Sequence, residues 1–306
     1  MKKLLISFIL IAAPLLAQSI TVDGKTELYG NGDAYFPKFS PDGSKVFFTH
    51  SGYKGLEYVD IETGSVEKLS DANGAGYEFC FSSDGSEVYY KMDTYKGMKK
   101  YSTLLSQNLA SKEVKTLEAE KRNLSFARTV SEGTLYYQYE MNLKSVEMTP
   151  SLRKSSTASE IALLNESGSM VIVRNGYKKT IEPFGKNIYI WPSLSPDGTK
   201  ILFTLASKGT FISDLEGNIL VSLGKANAPQ WSPDGKWIVY MDDYDNGSSF
   251  TRSDLFAVSA DGSVKVDLSY GEDEIEMYPQ WSADGSKIVY HTDSGKIMLL
   301  NLTIAE

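Results

Sequence analysis

The chain has 306 residues, enough for one repeat domain with a large core, and 31 basic against 39 acidic side chains give it a formal net charge of −8. That balance argues against nucleic acid as a partner. One cysteine, Cys80, excludes an internal disulfide, and two histidines, His50 and His291, are the only imidazoles for base or metal chemistry.

Residues 1–17 combine Lys2 and Lys3 with an apolar run of 13 residues from Leu4 to Leu16, followed by Ala17. This is the pattern of a secretory signal peptide cleaved after Ala17, and the run is too short to span a bilayer. Without it the formal charge is 29 minus 39, or −10. Ser19 to Leu28 then reads as a strand that precedes the first copy of a repeated unit.

That unit is Phe39-Ser40-Pro41-Asp42-Gly43-Ser44-Lys45-Val46-Phe47-Phe48, and it recurs as Phe81 to Tyr90, Leu194 to Phe203, Trp231 to Tyr240 and Trp281 to Tyr290. Phe39, Phe81, Leu194, Trp231 and Trp281 close a short strand with a large wedge. Pro41, Pro196 and Pro233 preset a type I turn, the next Asp bonds the local backbone, and Gly43 and its counterparts supply the left-handed residue that closes a hairpin. The strand that follows, such as Val46-Phe47-Phe48 or Ile288-Val289-Tyr290, is apolar on consecutive residues, which requires burial on both faces. Stacked blades of a β-propeller meet that requirement.

The repeated Asp residues, 42, 84, 197, 234 and 284, are spaced by 42, 113, 37 and 50 residues. The long gap reads as two blades' worth, with a worn copy at Ser131-Glu132-Gly133-Thr134-Leu135-Tyr136-Tyr137. The expected fold is therefore all-β: a six-bladed propeller of four-stranded antiparallel blades over residues 18–306. Ser167 lies too close to Asp197 for a seventh blade, so 141–168 is expected to be an insertion in the third blade, either an extended loop or a stretch of irregular strands. The last blade lacks its outer strand, which Ser19 to Leu28 is expected to supply, removing an exposed edge.

The Pro-x-Trp-Ser-Pro-Asp-Gly-Lys-x-Ile-x-Tyr pattern of Pro229 to Tyr240, echoed in Pro279 to Tyr290, resembles the WD-type repeat of the TolB propeller family. The resemblance covers the propeller part alone, without the separate α/β domain of that family. It implies an exported protein- or peptide-binding module of the cell envelope, periplasmic or secreted, with an envelope protein or peptide as partner. Dipeptidyl-peptidase-type propellers share the repeat.

In a propeller the Asp-Gly hairpins gather on one face. The other face collects Tyr35, Phe36, Tyr77, Glu78, Trp191 and Tyr278 from just before the inner strands, and two charged loops, one bearing Lys96 and one bearing Asp242, Asp243 and Asp245. The aromatics are suited either to partner binding around a channel mouth or to filling blade interfaces. The loops of opposite sign form either a bipolar binding surface or solvated turns. Asp243-Tyr244-Asp245-Asn246-Gly247 offers oxygen ligands to calcium or is an ordinary Asx turn, and no other cofactor is indicated. His50 and His291, both after second strands of neighbouring blades, are either a paired site or structural residues. No nucleophile elbow, His-Glu-x-x-His helix or phosphate loop is present. The expected function is non-enzymatic protein or peptide binding; the alternative is a propeller lyase or hydrolase acting on an extracellular sugar or peptide, with or without a metal.

Overall fold

The computed structural model describes residues 19–305 except 83, 127, 130–133, 141, 148–160, 175–176 and 270–273. The expected signal peptide, residues 1–17, lies outside the described residues. The strands form seven antiparallel sheets, the blades of a β-propeller, and no α-helix occurs among the described residues. From the axis outward, blade one is Tyr35–Phe39, Lys45–His50, Lys54–Asp60 and Val66–Asn73, and blade two is Cys80–Phe81, Glu87–Lys96, Lys99–Asn108 and Val114–Lys121. Blade three is Ser125–Phe126, Thr134–Tyr139 and Asn142–Glu147; blade four is Arg128–Thr129, Ile161–Glu166, Ser169–Arg174 and Tyr177–Ile181. Blade five is Tyr189–Leu194, Lys200–Leu205, Gly209–Asp214 and Ile219–Gly224, and blade six is Asn227–Trp231, Trp237–Asp245, Phe250–Ser259 and Lys265–Asp267. Blade seven is Glu276–Trp281, Lys287–Thr292, Ile297–Ala305 and the N-terminal strand Ser19–Tyr29.

Seven blades replace the six expected from the repeat. The gap of 113 residues between Asp84 and Asp197 divides into three intervals of about 38, close to the 37 that separate Asp197 from Asp234. Ser167-Gly168 misleads because it is not an inner hairpin. It joins the second and third strands of blade four, where Glu166 pairs with Ser169, so its distance to Asp197 is one strand shorter than a blade repeat. Of the stretch 141–168, expected to be an insertion in blade three, Asn142–Glu147 is instead a blade-three strand and Ile161–Glu166 a blade-four strand, while 141 and 148–160 lie outside the described residues. Of the worn copy, residues 131–133 lie outside the described residues, whereas Thr134–Tyr139 is the second strand of blade three. One segment serves both blades: Phe126 pairs with Tyr137 in blade three, and Arg128 pairs with Leu163 in blade four.

Burial on both faces of the second strands is what joins the blades. Val46 and Phe48 pack with Val289 and Leu299 of blade seven, whereas Phe47 between them packs with Phe79 and Val88 of blade two. Seven apolar clusters follow one another around the ring, one at each junction between blades. Burying each large side chain there contributes about 1.5–3 kcal/mol.

The Asp-Gly hairpins are held by a serine that pattern reading passes over. Ser232 Oγ donates to Asp234 at 2.6 Å and accepts from the Trp237 backbone N–H at 2.9 Å. Ser40, Ser82, Ser195 and Ser282 are buried and do the same for their hairpins. The ring is closed by Ser19–Tyr29, which pairs antiparallel with Ile297–Ala305 from Ser19 opposite Ala305 to Tyr29 opposite Ile297. Lys25 on that strand forms ion pairs with Glu274 at 3.1 Å and with the buried Glu276 at 3.3 Å, and Glu276 also accepts from Tyr290 Oη at 2.8 Å and Ser269 Oγ at 2.6 Å.

Candidate functional site

At the end opposite the Asp-Gly hairpins, the inner strands share a feature absent from any residue pattern. Phe36, Glu78, Asn123, Trp191, Ala228 and Tyr278 all have φ between 47° and 60°. Each stands three residues before its wedge, Phe39, Phe81, Phe126, Leu194, Trp231 or Trp281. In blades one, five, six and seven the pairing slips at this point, forming a bulge. There the next residue is Pro37, Pro192, Pro229 or Pro279, which has no N–H to lose from the ladder. Left-handed backbone in a non-glycine residue costs about 1–3 kcal/mol, and proline further disfavours helical backbone in the residue before it. Two residues beyond each of these left-handed positions, Lys38, Cys80, Ser125, Ser193, Gln230 and Gln280 are all partly exposed and precede the wedges on the opposite face of the strand. Burial pushes the Cys80 thiol up to about 11, which marks it as unreactive.

Together with Tyr53 and Tyr77, the left-handed residues Phe36 and Tyr278 form an aromatic arc at the channel mouth, running from blade two through blade one to blade seven. The Tyr77 ring meets Tyr53 edge-on at 5.0 Å, Tyr53 stacks on Phe36 at 4.9 Å, and Phe36 meets Tyr278 edge-on at 4.7 Å. Tyr278 stacks at 5.4 Å on His291, which Tyr35 meets edge-on at 5.3 Å. Trp191 of blade five and Tyr278 both pack against the cluster that contains Ala228. His291 is buried, and desolvation drives its pKa down to about 3, so the imidazole is neutral at physiological pH. Its Nδ1 accepts the Phe36 N–H at 3.4 Å, which assigns the ring proton to Nε2. His50 has other partners: Nδ1 lies 2.7 Å from the Asp33 carbonyl and Nε2 lies 3.2 Å from Glu57. Partial burial opposes its protonation, but the bonds to Asp33 and Glu57 outweigh that and raise its pKa.

The charged residues singled out in the sequence are mostly matched within the fold. Glu78 takes the ammonium of the buried Lys91 at 3.1 Å, and that ammonium also lies 4.5 Å from the Tyr77 ring centroid. Lys96 pairs with Glu120, and Asp242 pairs with Lys225 at 3.2 Å. Asp243 is buried and accepts from the Asn227 side-chain amide at 2.6 Å. Asp245 accepts the Gly247 N–H at 2.8 Å, an Asx turn. Lys96 and the three aspartates lie not on loose loops but on long hairpins of blades two and six, whose Tyr95, Met98 and Tyr244 side chains are exposed. Among the described residues no group of three or more His, Cys, Asp or Glu side chains is placed to hold a metal ion.

Sequence reasoning missed Asn123, Ala228 and Tyr53. The first two carry no aromatic signal, and their position three residues before the wedge was the available cue. Tyr53 follows Gly52 at the tip of the hairpin between the second and third strands, a place that projects at the mouth.

No protein-family model matches the chain, and no curated protein matches it in sequence. Among solved structures it is similar to TolB from Acinetobacter baumannii, at 19% identity and TM-score 0.51 over 79% of this chain and 55% of that one. The chain thus spans about half the length of that protein. It is also similar to oligogalacturonate lyase from Vibrio parahaemolyticus, at 12% identity and TM-score 0.51 over 90% of this chain and 79% of that one. The Cps50 (Swd1) β-propeller domain of Myceliophteria thermophila aligns with TM-score 0.60 at 12% identity, over 93% of this chain and 100% of that one. Likeness at such identities establishes the β-propeller fold. No helix among the described residues is long and apolar enough to cross a membrane.

Proposed function

We propose that the chain is an exported, non-enzymatic, TolB-like propeller that binds an envelope protein or peptide at its channel mouth, in the periplasm or outside the cell. The observation that carries this reading is the ring of left-handed, non-glycine residues that presents Phe36, Trp191 and Tyr278 there. Backbone strain repeated in blade after blade contributes nothing to stability and is characteristic of ligand sites. Partly exposed aromatic rings are the groups that dominate protein recognition energies. The test is to crosslink the tagged full chain in its native envelope beside a Phe36→Ala/Trp191→Ala/Tyr278→Ala variant. One protein captured by the parent and lost from the variant is the expected result; equal capture by both, or none, contradicts the reading.

The rival is a lyase or hydrolase acting on an extracellular sugar or peptide. In its favour is a neutral imidazole, His291, at the mouth, although a pKa near 3 makes it a weak base at neutral pH. A divalent-metal thermal shift abolished by His50→Ala and His291→Ala would favour that rival.

A further inference from the structure

We propose that the channel mouth selects a positively charged group, a basic side chain carried by the partner polypeptide. This rests on the binding reading above and adds the chemistry that the site reads. The rings of Tyr53, Phe36 and Tyr278 touch one another in a continuous arc, and the face of each ring carries negative potential that attracts cations. The fold already uses this property at one end of the arc, where the Lys91 ammonium sits 4.5 Å from the Tyr77 ring centroid and 5.4 Å from that of Phe126, and Glu78 neutralises it.

At the other end stands a carboxylate without such a match. Asp243 is 8% exposed, and among the described residues its carboxylate accepts from the neutral Asn227 amide at 2.6 Å and takes part in no ion pair. The neighbouring Lys225 ammonium goes instead to the Asp243 main-chain carbonyl and to the Asp242 carboxylate at 3.2 Å. Asp243 stands opposite Ser253, whose hydroxyl donates to the Glu276 carbonyl at 2.6 Å, two residues before Tyr278, and its own carboxylate is bonded to Asn227, the residue before Ala228, so it lies against the mouth segments of blades six and seven. A buried carboxylate at the mouth that joins no ion pair among the described residues is stabilised by an incoming ammonium or guanidinium. The net charge of −8 steers such a group toward the protein.

The test selects short random peptides on the full chain, then compares each selected peptide with a copy in which citrulline replaces Arg and norleucine replaces Lys. The expected result is peptides that carry Arg or Lys and lose roughly tenfold or more in affinity in the neutral copy. Asp243→Asn should weaken the basic peptide by a similar factor and leave the neutral copy unchanged. If binding is lost in Trp191→Ala and Tyr278→Ala but the neutral copy binds as well as the basic one, cation selection is wrong while mouth binding stands. If no peptide is selected, or none responds to the mouth variants, both readings fall. The peptide comparison uses the unaltered protein, so it holds even where a variant folds poorly.

Discussion

The two ends of the inner strands are built on opposite terms. At the Asp-Gly end the left-handed positions are glycines, Gly43, Gly85, Gly198, Gly235 and Gly285, and each buried serine hydroxyl is bonded by its own hairpin. At the mouth end of the inner strands the left-handed positions are Phe36, Glu78, Asn123, Trp191, Ala228 and Tyr278, none of them a glycine. One end is relaxed and holds the hairpins; the other stores strain to present side chains. On the binding function proposed above, the difference separates stability from recognition along a single strand, so that substitutions at the two ends should have unlike consequences.

The mouth end is braced by the latch between Lys25 and Glu276, and breaking it should give the largest effect. Lys25→Met leaves the Glu276 carboxylate buried without a cation and should lower stability by roughly 3 kcal/mol, the low end for breaking a buried pair because Lys25 keeps some exposure. Thermal unfolding, with proteolysis of the N-terminal strand as a second readout, checks this, and an unchanged melting temperature would remove the latch from the account. At the relaxed end, Ser232→Ala deprives Asp234 and the Trp237 N–H of their partner and should cost about 1–3 kcal/mol in urea unfolding while leaving partner capture intact.

The strain itself is tested by Ala228→Gly, which removes only a methyl group from a left-handed residue. Relief of about 1–2 kcal/mol should offset the extra chain entropy of glycine and the lost burial of one methyl group, leaving the variant within about 1 kcal/mol of the parent. A loss of more than about 1 kcal/mol would show that the bulge is unstrained.

The smallest effect is acid sensitivity, and it belongs to the hairpin aspartates. Hydrogen bonds from Ser282 and Ser259 hold Asp284 and Asp261 down to about 2, below their ordinary 3.8. Their contribution to stability is present above about pH 4 and is lost as pH falls toward 2. His291, neutral down to about pH 3, adds no pH dependence between 5 and 8, so binding at the mouth should be flat there where His291 is concerned. Unfolding midpoints measured from pH 5 to pH 2 for the parent and for Asp284→Asn would separate this contribution.

Much of the fold was legible in the sequence because the hairpin chemistry is local. Serine, proline, aspartate and glycine act within six residues of one another, and consecutive apolar residues such as Val46-Phe47-Phe48 announce two buried faces. The seventh blade was not legible because blades three and four have lost the Asp-Gly motif, leaving length alone to count them. At the site, the aromatic residues near the mouth were legible from their place before the inner strands. Their shared left-handed backbone was not, since four of the six precede proline, where sequence rules expect extended backbone. The pairing of Lys96 with Glu120, or of Glu78 with Lys91, is set by strand register and is invisible in a linear chain.

The central claim, that partners dock at the mouth, is tested most directly by photocrosslinking. A photoreactive phenylalanine analogue is placed at Tyr53, on the aromatic arc, or at Tyr177, exposed on the outer strand of blade four, and each full-length protein is irradiated in cells of its native host. The account predicts a discrete adduct from position 53 and none from position 177. Adducts of equal yield from both positions, or an adduct from position 177 alone, would contradict it.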